Sequence, residues 1–69
     1  MLTIEVEIEN DNRWLAEVLE LPGVLAYGQN RAEAILKVKI LAMQVLTERI
    51  EHGEQSQHVR GLFKEEVSI

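Results

Sequence analysis

"LPGVLAYGQNRAEA", residues 21–34, combines a sharp corner, a short apolar run and the beginning of a helix. Pro22 fixes its φ at about -65° and disfavours a helical conformation at Leu21. Gly23 readily takes the positive φ that the third position of a type II turn requires. The run 24–27 is long enough for a short strand, and Gly28 ends it where the chain leaves the sheet. The stretch therefore predicts a corner between two strands, followed by a helix.

The start and the end of this helix are both marked in the sequence. Asn30 suits the N-cap position, and we expect the Glu33 side chain to reach back to the Asn30 backbone N–H in a variant of the capping box. Helix-forming residues then continue to residue 52, and Gly53 suits the C-terminal stop. The sequence predicts a helix over 31–52, about 33 Å long.

Two strands are predicted before the corner. Residues 2–8 alternate between aliphatic and polar side chains, which places the aliphatic ones on one face of a strand. The opposite face carries Glu5, Glu7 and Glu9. "NDNR" at 10–13 predicts a hairpin turn, because Asn and Asp favour turns. Residues 13–21 alternate again and predict a central strand, which carries Trp14, Ala16 and Val18 on one face and Leu15, Glu17 and Leu19 on the other.

The predicted fold class is α+β, with a three-stranded antiparallel sheet packed on one long helix. A chain of 69 residues suits a single domain, here residues 1–69, with one thin core. The segment 59–69 is ambiguous between a helical turn and a last strand, and we favour a short fourth strand over 65–69. We expect the aromatic residues Trp14 and Phe63 to belong to the core.

The long helix carries more aliphatic surface than one such sheet can cover, because its polar residues fall in one narrow sector. One stripe comprises Ile35, Val38, Ala42, Val45, Leu46 and Arg49. A second stripe, called here the helix stripe, comprises Leu36, Ile40, Met43, Thr47 and Ile50. We assign the first stripe to the core and the helix stripe to another chain, although the sequence leaves the two interchangeable. The alternative is that the C-terminal tail folds back over the helix stripe.

Composition restricts the partners of the chain. Seven basic against twelve acidic residues give a formal charge of -5, which disfavours phosphate backbones and favours a basic partner. No cysteine is present to form a disulfide or a thiolate metal site. The acidic N-terminus differs from a signal peptide, and no apolar run is long enough to span a membrane. We expect a cytoplasmic protein that forms a dimer or tetramer. We assign Leu36, Ile40, Met43, Ile50 and Tyr27 to an interface with another copy or with a partner; for Tyr27, packing in the core or at its rim is the alternative.

No residue set predicts catalysis, a cofactor or a resident metal. His52 and His58 lack further ligands at a metal-site spacing, and neither a phosphate-binding loop nor a nucleophile motif occurs. Glu5, Glu7 and Glu9, with Glu17 across from them, are in principle able to hold a divalent cation. We interpret these four carboxylates instead as a recognition or solvation surface, and we expect the protein not to be an enzyme.

The order of strand, strand, "LPGV", short strand and "GQNRAEA" resembles the HicB-like antitoxin family. Its domains carry a Leu-Pro-Gly-Cys corner and then Gly-Asp-Thr-x-Glu-Glu-Ala at the beginning of the helix. The residues that match are Leu21, Pro22, Gly23, Gly28, Glu33 and Ala34. The residues that differ are Val24, Gln29, Asn30 and Ala32. The resemblance covers residues 2–53.

This resemblance implies a partial ribonuclease-H-like fold, β-β-β-α-β, without nuclease activity. It also implies neutralisation of a small basic HicA-type toxin that cleaves mRNA, with Glu5, Glu7, Glu9 and Glu17 facing the toxin. Many family members add a C-terminal DNA-binding segment, whereas this sequence ends at residue 69, so we expect no tight DNA binding by the isolated chain. Two alternatives remain: an oligomeric domain of the same fold with a ligand-binding or regulatory role, and a metal-dependent nuclease.

Overall fold

A computed structural model describes residues 1–54 and 57–66 of the chain. Its elements are three strands and two helical segments: β1 (Ile4–Ile8), β2 (Trp14–Val18), β3 (Leu25–Gly28), α1 (Arg31–Glu51) and the short α2 (Gln57–Arg60). The strands form one antiparallel sheet with β2 in the centre, and α1 packs on one face of it. The predicted α+β class, the central position of β2 and the long helix are therefore confirmed.

The two connections within the sheet follow the turn chemistry of the sequence. In the first hairpin, Asn12 adopts a positive φ of 68°, which Asn tolerates better than most residues. At the Pro-Gly corner Gly23 has a φ of 87°, and the Val24 N–H donates to the Leu21 carbonyl oxygen at 3.0 Å. Both features match a type II turn, and they bring β3 back alongside β2.

The passage from β3 into α1 requires a glycine at position 28. A Cβ atom at Gly28 would lie 2.4 Å from the backbone nitrogen of Ala34, so a larger residue does not fit without movement of the backbone. Asn30 caps the helix as predicted, because its Oδ1 accepts from the Glu33 N–H at 2.8 Å. The Glu33 carboxylate, however, accepts from the Gln29 N–H at 3.1 Å and not from Asn30, so it secures the residue that follows β3.

The core lies between the sheet and one face of α1. Its buried residues are Ala16, Val18, Leu21, Val24, Ala34, Val38, Ala42, Leu46 and Val59. The prediction that the stripe with Val38, Ala42 and Leu46 belongs to the core is thus confirmed. Its other members, Ile35, Val45 and Arg49, are half-buried at the edges of the core. Because α1 packs mainly on β2 and β3, the inner face of β1 is only partly covered, and Ile8 at its end is 56% exposed.

The C-terminal segment differs from the expected fourth strand. Residues 57–60 form the helical turn α2, and Val59 inserts into the core. Residues 61–66 contain no strand, so Glu65 and Glu66 do not begin one; the remainder of that prediction, residues 67–69, lies outside the described residues. Phe63 is 67% exposed, so the prediction that it belongs to the core is wrong. The side chain of this segment that is buried in the core is Val59. No helix in the described ranges is long and apolar enough to span a membrane.

Candidate functional site

The sheet face opposite α1 brings together side chains from all three strands and is called here the open face. Its members are Glu5, Glu7, Leu15, Glu17, Leu25 and Tyr27. The register places Glu5 directly across from Glu17 and Leu15 directly across from both Glu7 and Tyr27. Residues that are directly opposite in a sheet point to the same side, so the six side chains share one surface.

Carboxylates of β1 and of the central strand β2 make one part of the open face acidic. Glu5 and Glu7 are exposed, and Glu17 is half-buried. Within residues 1–54 and 57–66, no basic side chain forms an ion pair with any of these three carboxylates. Like charges directly opposite each other destabilise a sheet, so the Glu5–Glu17 pair lowers the stability of the isolated domain and favours the approach of positive charge.

The β3 side of the same face is apolar. Leu25 and Tyr27 are 39% and 37% exposed, and the half-buried Leu15 lies between Tyr27 and the acidic strand. The Arg13 guanidinium stacks over the Tyr27 ring at 4.2 Å from its centroid, a cation–π contact that orients the ring. The sequence analysis did not single out Leu25. Strand alternation could have found it, because its neighbour Ala26 faces inward and Leu25 must then face outward.

Glu9 occupies a different position from the other predicted acidic residues. It follows the last residue of β1 and is half-buried at the hairpin, where its carbonyl oxygen accepts from the Asn12 N–H at 3.0 Å. Beside it, the Asp11 carboxylate accepts hydrogen bonds from the backbone N–H and from the guanidinium of Arg13. Both bonds lower the pKa of Asp11, and the backbone bond has the larger effect. Glu9 therefore belongs to the hairpin end of the sheet, next to the open face.

A second polar contact holds β1 in place. The backbone N–H and the hydroxyl of Thr3 each donate to the Glu20 carboxylate at 2.7 Å. Both bonds lower the pKa of Glu20, and the backbone bond has the larger effect. Since Glu20 follows β2 and Thr3 precedes β1, the contact fixes the end of the hairpin that carries the Glu5–Glu17 pair.

The helix stripe forms the second exposed surface. Its large apolar members are Leu36, Ile40, Met43 and Ile50, which are 60%, 51%, 55% and 46% exposed. A shallow groove runs along its C-terminal half, lined among others by Ile40, Met43 and Thr47. The described part of the tail reaches only the C-terminal end of this surface, where Ile50 lines a pocket with Val59 and Phe63. Val59 is buried in the core, and Ile50 and Phe63 stay exposed.

Tyr27 does not join the helix stripe, although the sequence grouped it with those residues. It lies on the open face, on the far side of the sheet from α1, because it alternates with Ala26, which packs against the core. The two surfaces are therefore separate, and a partner on one face leaves the other free.

The carboxylates do not assemble into a cation site. In the described ranges, no group of three or more His, Cys, Asp or Glu side chains is placed to hold a metal ion. Glu5 and Glu7 lie along one strand, with Glu17 on its neighbour, so their spacing follows the sheet and does not converge on one point.

Neither a protein-family model, nor a curated protein, nor a solved structure matches this chain. The chain is characterised by its own geometry: a small α+β domain with a half-acidic, half-apolar open face and an exposed helix stripe.

Proposed function

We propose that this chain is a non-catalytic, cytoplasmic binding protein of the HicB-like antitoxin type, which captures a small basic HicA-type toxin and blocks its mRNA-cleaving surface. The observation that carries the proposal is the open face, where the facing carboxylates Glu5 and Glu17 adjoin the apolar pair Leu25 and Tyr27. The resemblance of residues 2–53 to HicB-like domains supports the same function.

Electrostatics supports a basic partner for the acidic side of this face. A Lys or Arg placed between Glu5 and Glu17 turns a repulsive contact into two attractive ones, so the partner gains more than from two isolated carboxylates. The overall charge of -5 adds long-range attraction, which mainly raises the rate of association.

The apolar side supports a protein as the partner. Protein interfaces combine a desolvated apolar or aromatic centre with a polar rim, and Tyr is enriched in such centres. Tyr27, Leu25 and Leu15 supply the apolar part, with Glu17 directly across from Leu25, and the exposed β1 carboxylates supply a polar rim on one side. The cation–π contact with Arg13 restrains the Tyr27 side chain before binding, which reduces the entropy that binding costs.

The direct test is binding and inhibition of a purified HicA-type toxin. We expect a stable complex and loss of the toxin's RNA cleavage on addition of the wild-type chain. The double reversal E5K/E7K should slow association by about tenfold at low salt and reduce its salt dependence, because rim charges act mainly on the association rate. The L25S substitution should instead speed dissociation, because it removes apolar contact area.

A matched control carries the same change of charge elsewhere. E54K/E65K reverses the charge of two exposed residues outside the open face, as E5K/E7K does within it, and should leave association close to the wild-type rate. If the two double variants slow association equally, the open face is not the toxin-binding surface. Absence of any complex with the wild-type chain would refute the antitoxin function and leave the oligomeric domain with another ligand as the hypothesis to test.

A further inference from the structure

We infer that the helix stripe binds a second copy of this chain, with the two α1 helices antiparallel about a two-fold axis close to Gln44. The stripe residues follow each other at intervals of four, three, four and three: Leu36, Ile40, Met43, Thr47 and Ile50. This is the a/d spacing of a coiled-coil seam, in which apolar side chains of one helix pack between those of another. The stripe spans about 21 Å of helix and stays exposed along its length.

The charges beside the stripe specify the direction of pairing. Lys37, Gln44 and Glu51 are exposed, lie seven residues apart and flank the stripe on the same side, each following a stripe residue. In an antiparallel pair centred near Gln44, Lys37 of one copy lies opposite Glu51 of the other, and the reverse pair forms by symmetry. A parallel pair in register instead brings like-numbered residues to the same level and keeps these opposite charges apart.

The same arrangement matches the central apolar residues. It places Ile40 of one copy across from Ile50 of the other, and Met43 across from Thr47. Leu36 faces position 54, past the end of the partner's α1 at Glu51. Thr47 is the one polar member of the stripe, and its hydroxyl donates to the Met43 carbonyl oxygen of its own helix at 2.7 Å. Because that hydroxyl already has an acceptor, Thr47 can turn its methyl group to the seam without leaving a buried donor unpaired.

A second copy fits the charge pattern better than the other possible occupants. The N-terminal part of the stripe is flanked by Lys37 and Lys39, and the C-terminal part by Glu48 and Glu51. A partner that carries only positive or only negative charge complements one end of this pattern. A second copy of the helix in the antiparallel orientation complements both ends. The described part of the tail meets the stripe only at Ile50, which lines a pocket with Val59 and Phe63. It leaves Leu36, Ile40 and Met43 more than half exposed.

Charge exchange tests this inference. We expect sedimentation equilibrium to show the wild-type chain as a dimer from about 1 to about 100 µM. The K37E substitution replaces both cross-pairs with repulsive ones and should weaken the dimer by about tenfold at low salt. The double variant K37E/E51K exchanges the two charges and should restore the dimer, because the pairs form again with the signs reversed. The substitution I40K should give a monomer.

Lys64 and Glu66 provide the matched controls, because they form an exposed ion pair of 2.9 Å in the tail. K64E changes the net charge as K37E does, and K64E/E66K matches the double exchange; neither should alter the dimer. Circular dichroism of each variant verifies that α1 is still formed, since K37E also removes the bond between Lys37 and Glu33 (3.2 Å).

Three results would overturn the antiparallel dimer. The first is a wild-type monomer of 7.9 kDa over the whole range, as expected if the tail or a different protein covers the stripe. The second is a folded K37E variant that associates as tightly as K64E. The third is a folded K37E/E51K variant that stays as weak as K37E, because an antiparallel pair requires the exchange to rescue binding.

Discussion

Replacing Gly28 by Ala tests the contact between the end of β3 and the first turn of α1. The added Cβ would lie 2.4 Å from the Ala34 nitrogen, 2.9 Å from its Cα and 3.0 Å from the carbonyl carbon of Glu33. All three are backbone atoms, which cannot rotate away as a side chain can. Since non-bonded carbon atoms pack best at about 3.5–4.0 Å, the start of α1 has to move by about 1 Å.

The expected loss of stability combines three effects. Forcing a methyl group into a packed contact costs about 1–3 kcal/mol. Movement of the first turn also strains the cap bond from the Glu33 N–H to Asn30, which is worth about 1 kcal/mol. The alanine stiffens the unfolded chain and offsets about 0.4–1 kcal/mol. The net decrease in the free energy of unfolding is about 1–3.5 kcal/mol, or about 4–28 °C in Tm for a domain of this size.

Thermal unfolding followed by circular dichroism measures this effect, at one protein concentration because self-association raises the apparent stability. Gly53→Ala is the control: Gly53 has a φ of 80°, and a Cβ added there would meet no atom within 4 Å, so that substitution adds only left-handed strain of about 1 kcal/mol. A Gly28→Ala variant that unfolds no earlier than Gly53→Ala would show that β3 and α1 do not approach as closely as described.

Three further predictions concern pH, DNA and RNA. The lowered pKa of Glu20 means that its bonds to Thr3 stabilise the fold above the ordinary value of 4.5, and that this contribution is lost as the pH falls through the lower folded-state pKa. Between about pH 5 and about pH 3, Glu20→Gln should therefore lose less stability than the wild type in thermal melts; an unchanged slope would contradict this. We expect no submicromolar, salt-sensitive affinity of the isolated chain for duplex DNA in an anisotropy titration, because its net charge is -5. We also expect no RNA cleavage with added magnesium or manganese, and a metal-dependent activity that is lost in Glu7→Gln would overturn the assignment as a non-enzyme.

Much of the fold follows from local features of the sequence. The alternation around Val6 and Ala16 predicts strands, because a period of two places every second side chain on one face. The positive φ values at Asn12 and Gly23 occur where the residue types suggest turns. Asn30 caps α1 because its short side chain reaches the free N–H of Glu33, only three residues away. None of these features requires knowledge of a distant residue.

The open face was only partly predictable. Glu5 and Glu7 are placed outside by alternation alone, but the facing pair Glu5–Glu17 depends on the register of the hairpin, which the length and conformation of its turn decide. The β1 strand also ends at Ile8, which separates Glu9 from the other carboxylates.

The sequence by itself determined where the strands, the corner and the helix lie, whereas only the tertiary structure decided which surfaces are buried. Both stripes of α1 are aliphatic, so local patterning cannot choose between them. The face of α1 that packs inward carries Ala34, Val38 and Ala42, whose small side chains allow α1 to approach the sheet closely, and it also buries Leu46. The bulkier Leu36, Ile40 and Met43 remain outside. Burial of this kind depends on the fit between segments far apart in the chain, and the core has room for one stripe only.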